Sequence, residues 1–185
     1  DTDASLIEEI LEIDQEMEQL AGGTGTDRGS GGMASKLAAA KIASWSGVRT
    51  VIADASRVGV LVDACDDIPG VGTVIRARPG RLGARRLWIA FAVGSSGLVT
   101  VDAGARQALE ERRVSLLPAG VVAATGDFDA GDAVELEDLD GEVFAKGIVR
   151  YDVETLRQHI GRRTTELPDG VSHEVIHTDD LVVLP

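Results

Sequence analysis

The chain has 185 residues, enough for one domain or two small ones. It is 44% hydrophobic but only 3% aromatic, so its core is built of Val, Leu, Ile and Ala, and its 22 glycines favour an α/β or β-rich fold over a helical bundle. A net charge of -13 argues against general nucleic-acid binding, the single cysteine excludes an intrachain disulfide and fits a reducing compartment, and no apolar run approaches the roughly 20 residues that span a bilayer.

The opening DTDASLIEEI is acidic and lacks an initiator Met and the marks of a signal or transit peptide, so it reads as a piece cut from something longer. Leu6–Ile10 is short and apolar between acidic flanks, a strand or a helical turn. Asp14 is placed to cap a helix that carries Met17 and Leu20 on one face and stops at Gly22. Residues 22–32 are dense in glycine with no apolar anchor, which predicts a mobile loop. Met33–Ser46 then reads as a helix with a small-residue face, closed by Gly47. Val48–Ala53 is a buried-strand candidate, Val58–Cys65 a short helix or strand, and Gly72–Ile75 another strand. This half predicts an α/β fragment with a mainly parallel sheet. Arg76–Arg86 holds five arginines, a proline and two glycines and looks like a domain joint, and Leu87–Val93 predicts an apolar strand after it.

From Gly97 the texture changes. A short helix capped by Asp102 is followed by short strands, a helix from Asp152 and a closing strand at the end. Apolar and polar residues alternate on both sides of Asp140–Gly141, which predicts a hairpin. Strands spaced this closely predict a small mixed β-barrel with two helices. Charge divides similarly: residues 1–96 hold 13 acidic and 10 basic side chains and residues 97–185 hold 18 and 8, so the second part carries -10.

The chemistry-bearing stretch is Ser30–Lys36, where a glycine-rich turn runs into a helix. Backbone N–H groups at a helix start suit an anion, glycines let phosphate oxygens approach, and a lysine one turn in reaches the same charge. The stretch fits neither G-x-x-x-x-G-K-[ST] nor G-x-G-x-x-G, so by motif alone it is either a phosphate cradle or a loop entering a helix with a solvated lysine.

A resemblance adds to this. GSGGMASKLAAAKIASWSGVRTVIA resembles the signature of glutamate 5-kinase, in the amino acid kinase family, through Gly31, Gly32, Met33, Lys36, Ala39, Ala40, Gly47, Thr50, Ile52 and Ala53, with Ser30 where Thr is usual. Val71–Ile75 and RRLWIAF resemble later segments of that family. VTVD, SLLPAGV, GDF, GD-x-V and HTDDLVVL follow in the order of its C-terminal PUA domain, named for pseudouridine synthases and archaeosine transglycosylases. The resemblance implies the end of an amino acid kinase domain over 1–80, a linker and connecting strand over 81–96, and a PUA-like domain over 97–185. It implies phosphorylation of the L-glutamate γ-carboxylate by ATP with Mg²⁺, giving γ-glutamyl phosphate, the first step of proline synthesis in the cytoplasm.

Carried over by position, Ser30, Gly31, Gly32, Met33, Ala34, Ser35 and Lys36 are the ATP-binding residues, and Lys36 neutralises phosphate charge. The family's upstream phosphate strand, glutamate site and Thr-Asp pair have no counterpart here. The expectation is therefore a fragment with no catalytic or metal residue of its own, inactive alone, with an open sheet edge that either pairs with another copy, as in a homo-oligomer, or leaves this part poorly ordered. Proline enters as a feedback inhibitor of the intact enzyme. An RNA-binding or regulatory PUA module without catalysis is the alternative, and the acidic charge of the second part weighs against RNA. The arginines of 76–86 are expected to pair with that acidic part. His159, His173 and His177 do not fit metal-ligand spacing. Cys65 reads as a buried structural thiol, and Trp45 and Trp88 as packed rings.

Overall fold

A computed structural model describes residues 5–21 and 32–184. Contacts divide the chain between Gly83 and Ala84 into two compact units.

The first unit holds β1 (Glu9–Ile10), α1 (Gln15–Leu20), α2 (Met33–Trp45), β2 (Thr50–Ala53), α3 (Val60–Cys65) and β3 (Gly72–Ile75). Asp14 caps α1, its carboxylate accepting the Met17 N–H at 2.9 Å. The sheet order is β1-β3-β2, with β1 parallel to β3 and β2 antiparallel to it. The α/β class holds, but among the described residues the pairings are evenly mixed rather than mainly parallel. A turn of the chain after Ala53 brings β3 back beside β2 in the opposite sense. Strand alternation places Ile10, Ile52 and Ile75 on one sheet face, where they pack with Ile13, Leu37 and Ala40 beneath α1 and α2. Glu9, Val51 and Val74 face the other way. Trp45 closes α2 at 2% exposure, with the Arg78 guanidinium 4.2 Å from its ring centroid. Ser44, also buried, donates to the Arg76 carbonyl at 2.6 Å.

The second unit begins with α4 (Ala84–Leu87), which runs into a π-helical turn at Trp88–Ala92. The strand expected over Leu87–Val93 is therefore helical. A short apolar run has no periodicity that separates strand from helix. Here its hydrogen bonds close within the segment, the Val93 N–H reaching the Trp88 carbonyl at 3.1 Å. Ile89 is buried while Trp88 is 47% exposed, so of the two tryptophans only Trp45 is packed as expected. The turn ends against the sheet, where the buried Lys146 donates to the Val93 carbonyl at 2.5 Å.

Beyond it come β4 (Gly97–Val101), α5 (Ala103–Arg112), β5 (Val121–Gly126), β6 (Ala133–Glu137), β7 (Val143–Val149), α6 (Val153–His159) and β8 (Ile176–Val183). The sheet order is β5-β4-β6-β7-β8; β4 and β6 are parallel and the other pairs antiparallel. The predicted hairpin is β6–β7, and Gly141 takes the left-handed conformation its turn requires, at φ 83°. Val99, Leu109, Leu136, Phe144, Leu156 and Ile176 fill a core built almost wholly from aliphatic side chains.

Carboxylates hold this unit's turns. Asp102 caps α5 through the Ala105 N–H at 2.7 Å, and Asp152 caps α6 through the Thr155 N–H at 2.8 Å. Asp138 accepts the Asp140 and Glu142 N–H groups at 2.9 and 3.0 Å and also pairs with Arg106. The Glu142 N–H, with those of Asp140 and the Arg106 guanidinium, holds the Asp138 carboxyl below its ordinary 3.8, and the Thr155 N–H and hydroxyl do the same for Asp152. A depressed folded value means that the unfolded chain takes up protons first as pH falls. Stability from these two groups is thus present above about pH 4 and is lost as pH falls through the folded values. Urea midpoints at pH 6, 4 and 3 are expected to drop, and Asp138→Asn is expected to flatten the drop.

Candidate functional site

Of the seven residues read as a nucleotide loop, Ser30 and Gly31 lie outside the described residues, as does most of the 22–32 loop. Gly32 is the N-cap of α2, and Met33, Ala34, Ser35 and Lys36 form its first turn. That turn has no acidic side chain, and no side chain caps it. Ser35 gives its hydroxyl proton to the Gly32 carbonyl at 2.8 Å. Lys36 is exposed, and among the described residues no carboxylate pairs with it.

The other lysine of α2 behaves differently. Lys41 is bound to Glu18 at 3.1 Å, with its side chain 12% exposed. One lysine joins α2 to α1; the other stands at a helix start whose first-turn N–H groups no side chain of the described residues caps. N–H groups at a helix start and an ammonium close to them suit the oxygens of a phosphate. They do not suit Mg²⁺, which takes oxygen ligands.

The face of the three-stranded sheet opposite α1 and α2 carries a cleft of about 630 Å³, lined by Glu9, Val51, Ala64, Val74 and Arg76 among others. Residues 32–36 do not line it. Two of its charge pairs are internal: Arg76 binds Glu9 at 2.5 Å and Arg49 pairs with Asp67.

The arginine-rich stretch is not one patch. Arg76 and Arg78 pair with Glu9 and Glu12 of the first unit, at 2.5 and 3.6 Å. Arg85 pairs with Asp180 at 2.6 Å, and Arg86 donates to the Thr178 carbonyl at 3.1 Å. Pairing with the acidic second part thus holds for Arg85 and Arg86 and fails for Arg76 and Arg78. Those two follow β3 directly and meet the carboxylates around β1. The basic residue most engaged in the second unit is one that the sequence did not single out. Arg106 binds Glu110, Asp138 and Glu142 and lies 5.1 Å from the Phe144 ring centroid. Glu110 is its i,i+4 neighbour on α5, whereas Asp138 and Glu142 come from the β6–β7 hairpin, a juxtaposition with no local sequence signal.

His159 is buried, with Nδ1 2.7 Å from the Thr155 carbonyl. Among the described residues no group of three or more His, Cys, Asp or Glu side chains is arranged to hold a metal, and no helix is long and apolar enough to cross a membrane. Cys65 is exposed, correcting the buried thiol expected from its apolar neighbours. It lies on the outer side of α3, whose half-buried residues are Val60, Asp63 and Ala64.

Fold and motif order agree on the class of the second unit: residues 97–171 match the PUA domain model. The chain as a whole is a relative of glutamate 5-kinases. It is 42% identical over 183 residues to that of Mycobacterium tuberculosis H37Rv, covering 98% of this chain and 47% of that one. It is also 42% identical over 167 residues to that of Mycolicibacterium smegmatis, covering 90% of this chain and 44% of that one. The chain spans about half the length of these curated relatives. Among solved structures, a PUA domain from Aeropyrum pernix K1 in complex with tartrate is 25% identical, covering 50% of this chain and 48% of that one, at a TM-score of 0.36.

Proposed function

We propose that this chain is the C-terminal part of a glutamate 5-kinase, the end of its amino acid kinase domain followed by its PUA domain. The observation that carries the reading is 42% identity to such enzymes over 98% of the chain. In the intact enzyme ATP supplies the phosphoryl group and L-glutamate the accepting γ-carboxylate. The product is γ-glutamyl phosphate, the first intermediate of proline synthesis, made in the cytoplasm with proline as feedback inhibitor.

Residues 30–36 lie against the ATP phosphates. Glycines 31 and 32 admit phosphate oxygens to the start of α2, the first-turn N–H groups donate to them, and Lys36 places a positive charge beside them. Mg²⁺ shields the same phosphates when bound, and the carboxylates that hold it lie outside this stretch. The groups that bind glutamate come from the half of the enzyme that this chain does not span, so the chain alone does not turn over.

The test is a hydroxylamine trap. The longer protein carrying this chain is expected to form γ-glutamyl hydroxamate and release ADP only when L-glutamate is present. The 185-residue chain alone is expected to form none. Hydroxamate from the chain alone overturns the division of labour, and none from the longer protein overturns the assignment.

The PUA match favours one second reading, a module that binds structured RNA. Against it stands the net -10 of residues 97–185, because phosphate contacts dominate RNA affinity. A regulatory or architectural role within a homo-oligomeric kinase fits the charge better. A gel shift with a structured RNA at physiological salt is expected to show no tight complex; tight, salt-sensitive binding reverses the preference.

A further inference from the structure

The first turn of α2 offers the rest of its unit little to grip. Met33, Ala34, Ser35 and Lys36 are all exposed, and the helix buries Leu37, Ala40, Ser44 and Trp45 further along. Leu37 and Ala40 pack in the cluster beneath α1 and α2. Apolar contact is non-directional, so it keeps the helix on the sheet without fixing how far it slides or turns there.

Directional contacts gather at the other end. The buried Ser44 hydroxyl donates to the Arg76 carbonyl at 2.6 Å. The Arg78 N–H donates to the Ser44 carbonyl at 3.0 Å, and the Leu82 N–H to the Trp45 carbonyl at 3.1 Å. Carbonyls that a helix end leaves without intrahelical partners are thus bound by the segment that leaves β3. Arg76 is in turn tied to the sheet, because its own N–H donates to the Ile10 carbonyl of β1 at 3.1 Å. A chain of hydrogen bonds therefore runs from β1 through Arg76 to Ser44, all within the first unit. The Lys41–Glu18 pair is of another kind, since it joins α2 to a second helix through two long side chains.

Lys36 stands about two turns before Ser44, roughly 12 Å along the axis at 1.5 Å per residue. The ladder of hydrogen bonds between them makes that length of helix stiff, so a slip or twist at Ser44 reaches Lys36. An anion site tolerates little of either, because a misplacement of about 1 Å is costly even when it starts far from the chemistry.

We propose that Ser44 is a positioning residue for ATP. Its bond to the Arg76 carbonyl fixes the axial place of α2, and with it the place of Lys36 and of the first-turn N–H groups. Ser44 acts through the helix and from its opposite end. The proposal rests on the nucleotide reading of residues 30–36.

The test is made in the longer protein carrying this chain, with Ser44→Ala, Lys36→Ala and the double variant, varying ATP and L-glutamate in turn. Ser44→Ala is expected to raise KM for ATP about five- to tenfold, the range that one hydrogen bond spans in a binding equilibrium. KM for L-glutamate is expected to stay within about twofold. A merely structural loss lowers the active fraction, and so kcat, but leaves both KM values alone. Sites this far apart without shared partners ordinarily act independently. Here Ser44→Ala added to Lys36→Ala is expected to change KM for ATP by less than about twofold, because the charge it positions is gone.

An unchanged KM for ATP in Ser44→Ala, an equal rise in both KM values, or a full further rise in the double variant overturns the positioning role. If Lys36→Ala impairs the use of ATP and Ser44→Ala does not, the nucleotide reading stands and this proposal falls. If neither impairs it, both fall. Ser44→Ala adds no bulk and alanine favours a helix, so the variant is expected to fold, which its thermal transition checks.

Discussion

Lys36→Ala, made in an intact kinase that carries this segment, is expected to lower kcat/KM for ATP by about 10²–10³-fold, the effect of deleting one preorganised charge or donor at a phosphoryl-transfer site. Folding stability is expected to stay within about 0.5 kcal/mol, as for other surface substitutions, because the side chain is exposed and pairs with no described carboxylate. Lys36→Arg keeps the charge but alters its shape and reach, so partial recovery is expected. The control lies in the same helix. Lys41→Ala breaks the pair with Glu18 at 3.1 Å and is expected to cost up to about 1 kcal/mol of stability with kcat/KM unchanged. If Lys36→Ala leaves kcat/KM within about twofold, the phosphate role of this lysine is wrong.

Gly72→Ala is expected to be the most damaging single-methyl change in the first unit. A Cβ at position 72 would lie 2.3 Å from the Ile52 carbonyl oxygen and 2.9 Å from the Ala53 Cα, both backbone atoms that no rotamer change can move. β2 and β3 would have to part where Ala53 faces Gly72. The unit has little to resist with, because among the described residues the buried cluster beneath its helices is small: Ile10, Ile13, Leu37, Ala40 and Ile75. A loss of about 3 kcal/mol is expected, the upper range for overpacking. Hydrogen exchange locates it: amides of Val51, Ile52 and Val74 are expected to exchange faster, with those of Val134 and Leu136 in the second unit unchanged. Wild-type protection at β2 and β3 would contradict the close approach.

Much of the fold was legible because its signals are local. Asp14, Asp102 and Asp152 stand one residue before helices they do cap, since a carboxylate there meets a free N–H whatever lies beyond. Asp140–Gly141 announced the β6–β7 hairpin through a turn only a few residues wide. The failures share a cause as well. Leu87–Val93 has the composition of a strand, yet which way an apolar run coils depends on what it packs against. Cys65 has the apolar sequence neighbours of a buried thiol, yet its side of α3 faces away from the residues that the unit half-buries.

The candidate site divides in the same way. The glycine-rich entry, the helix start and the lysine one turn in are sequence features, and the structure keeps Gly32 to Lys36 in those places. That Lys36 pairs with no described carboxylate while Lys41 is tied to Glu18 depends on where α1 lies against α2. The sequence alone determined the caps of α1, α5 and α6, the β6–β7 turn, the change of texture near Gly97 and the resemblance to glutamate 5-kinases, because each rests on residues close together in the chain. The tertiary structure alone decided the exposure of Cys65 on α3, the Arg106 cluster and the backbone contact that requires glycine at 72. Each of these is a meeting of residues distant in sequence, or an exposure set by such meetings, and no local pattern encodes it.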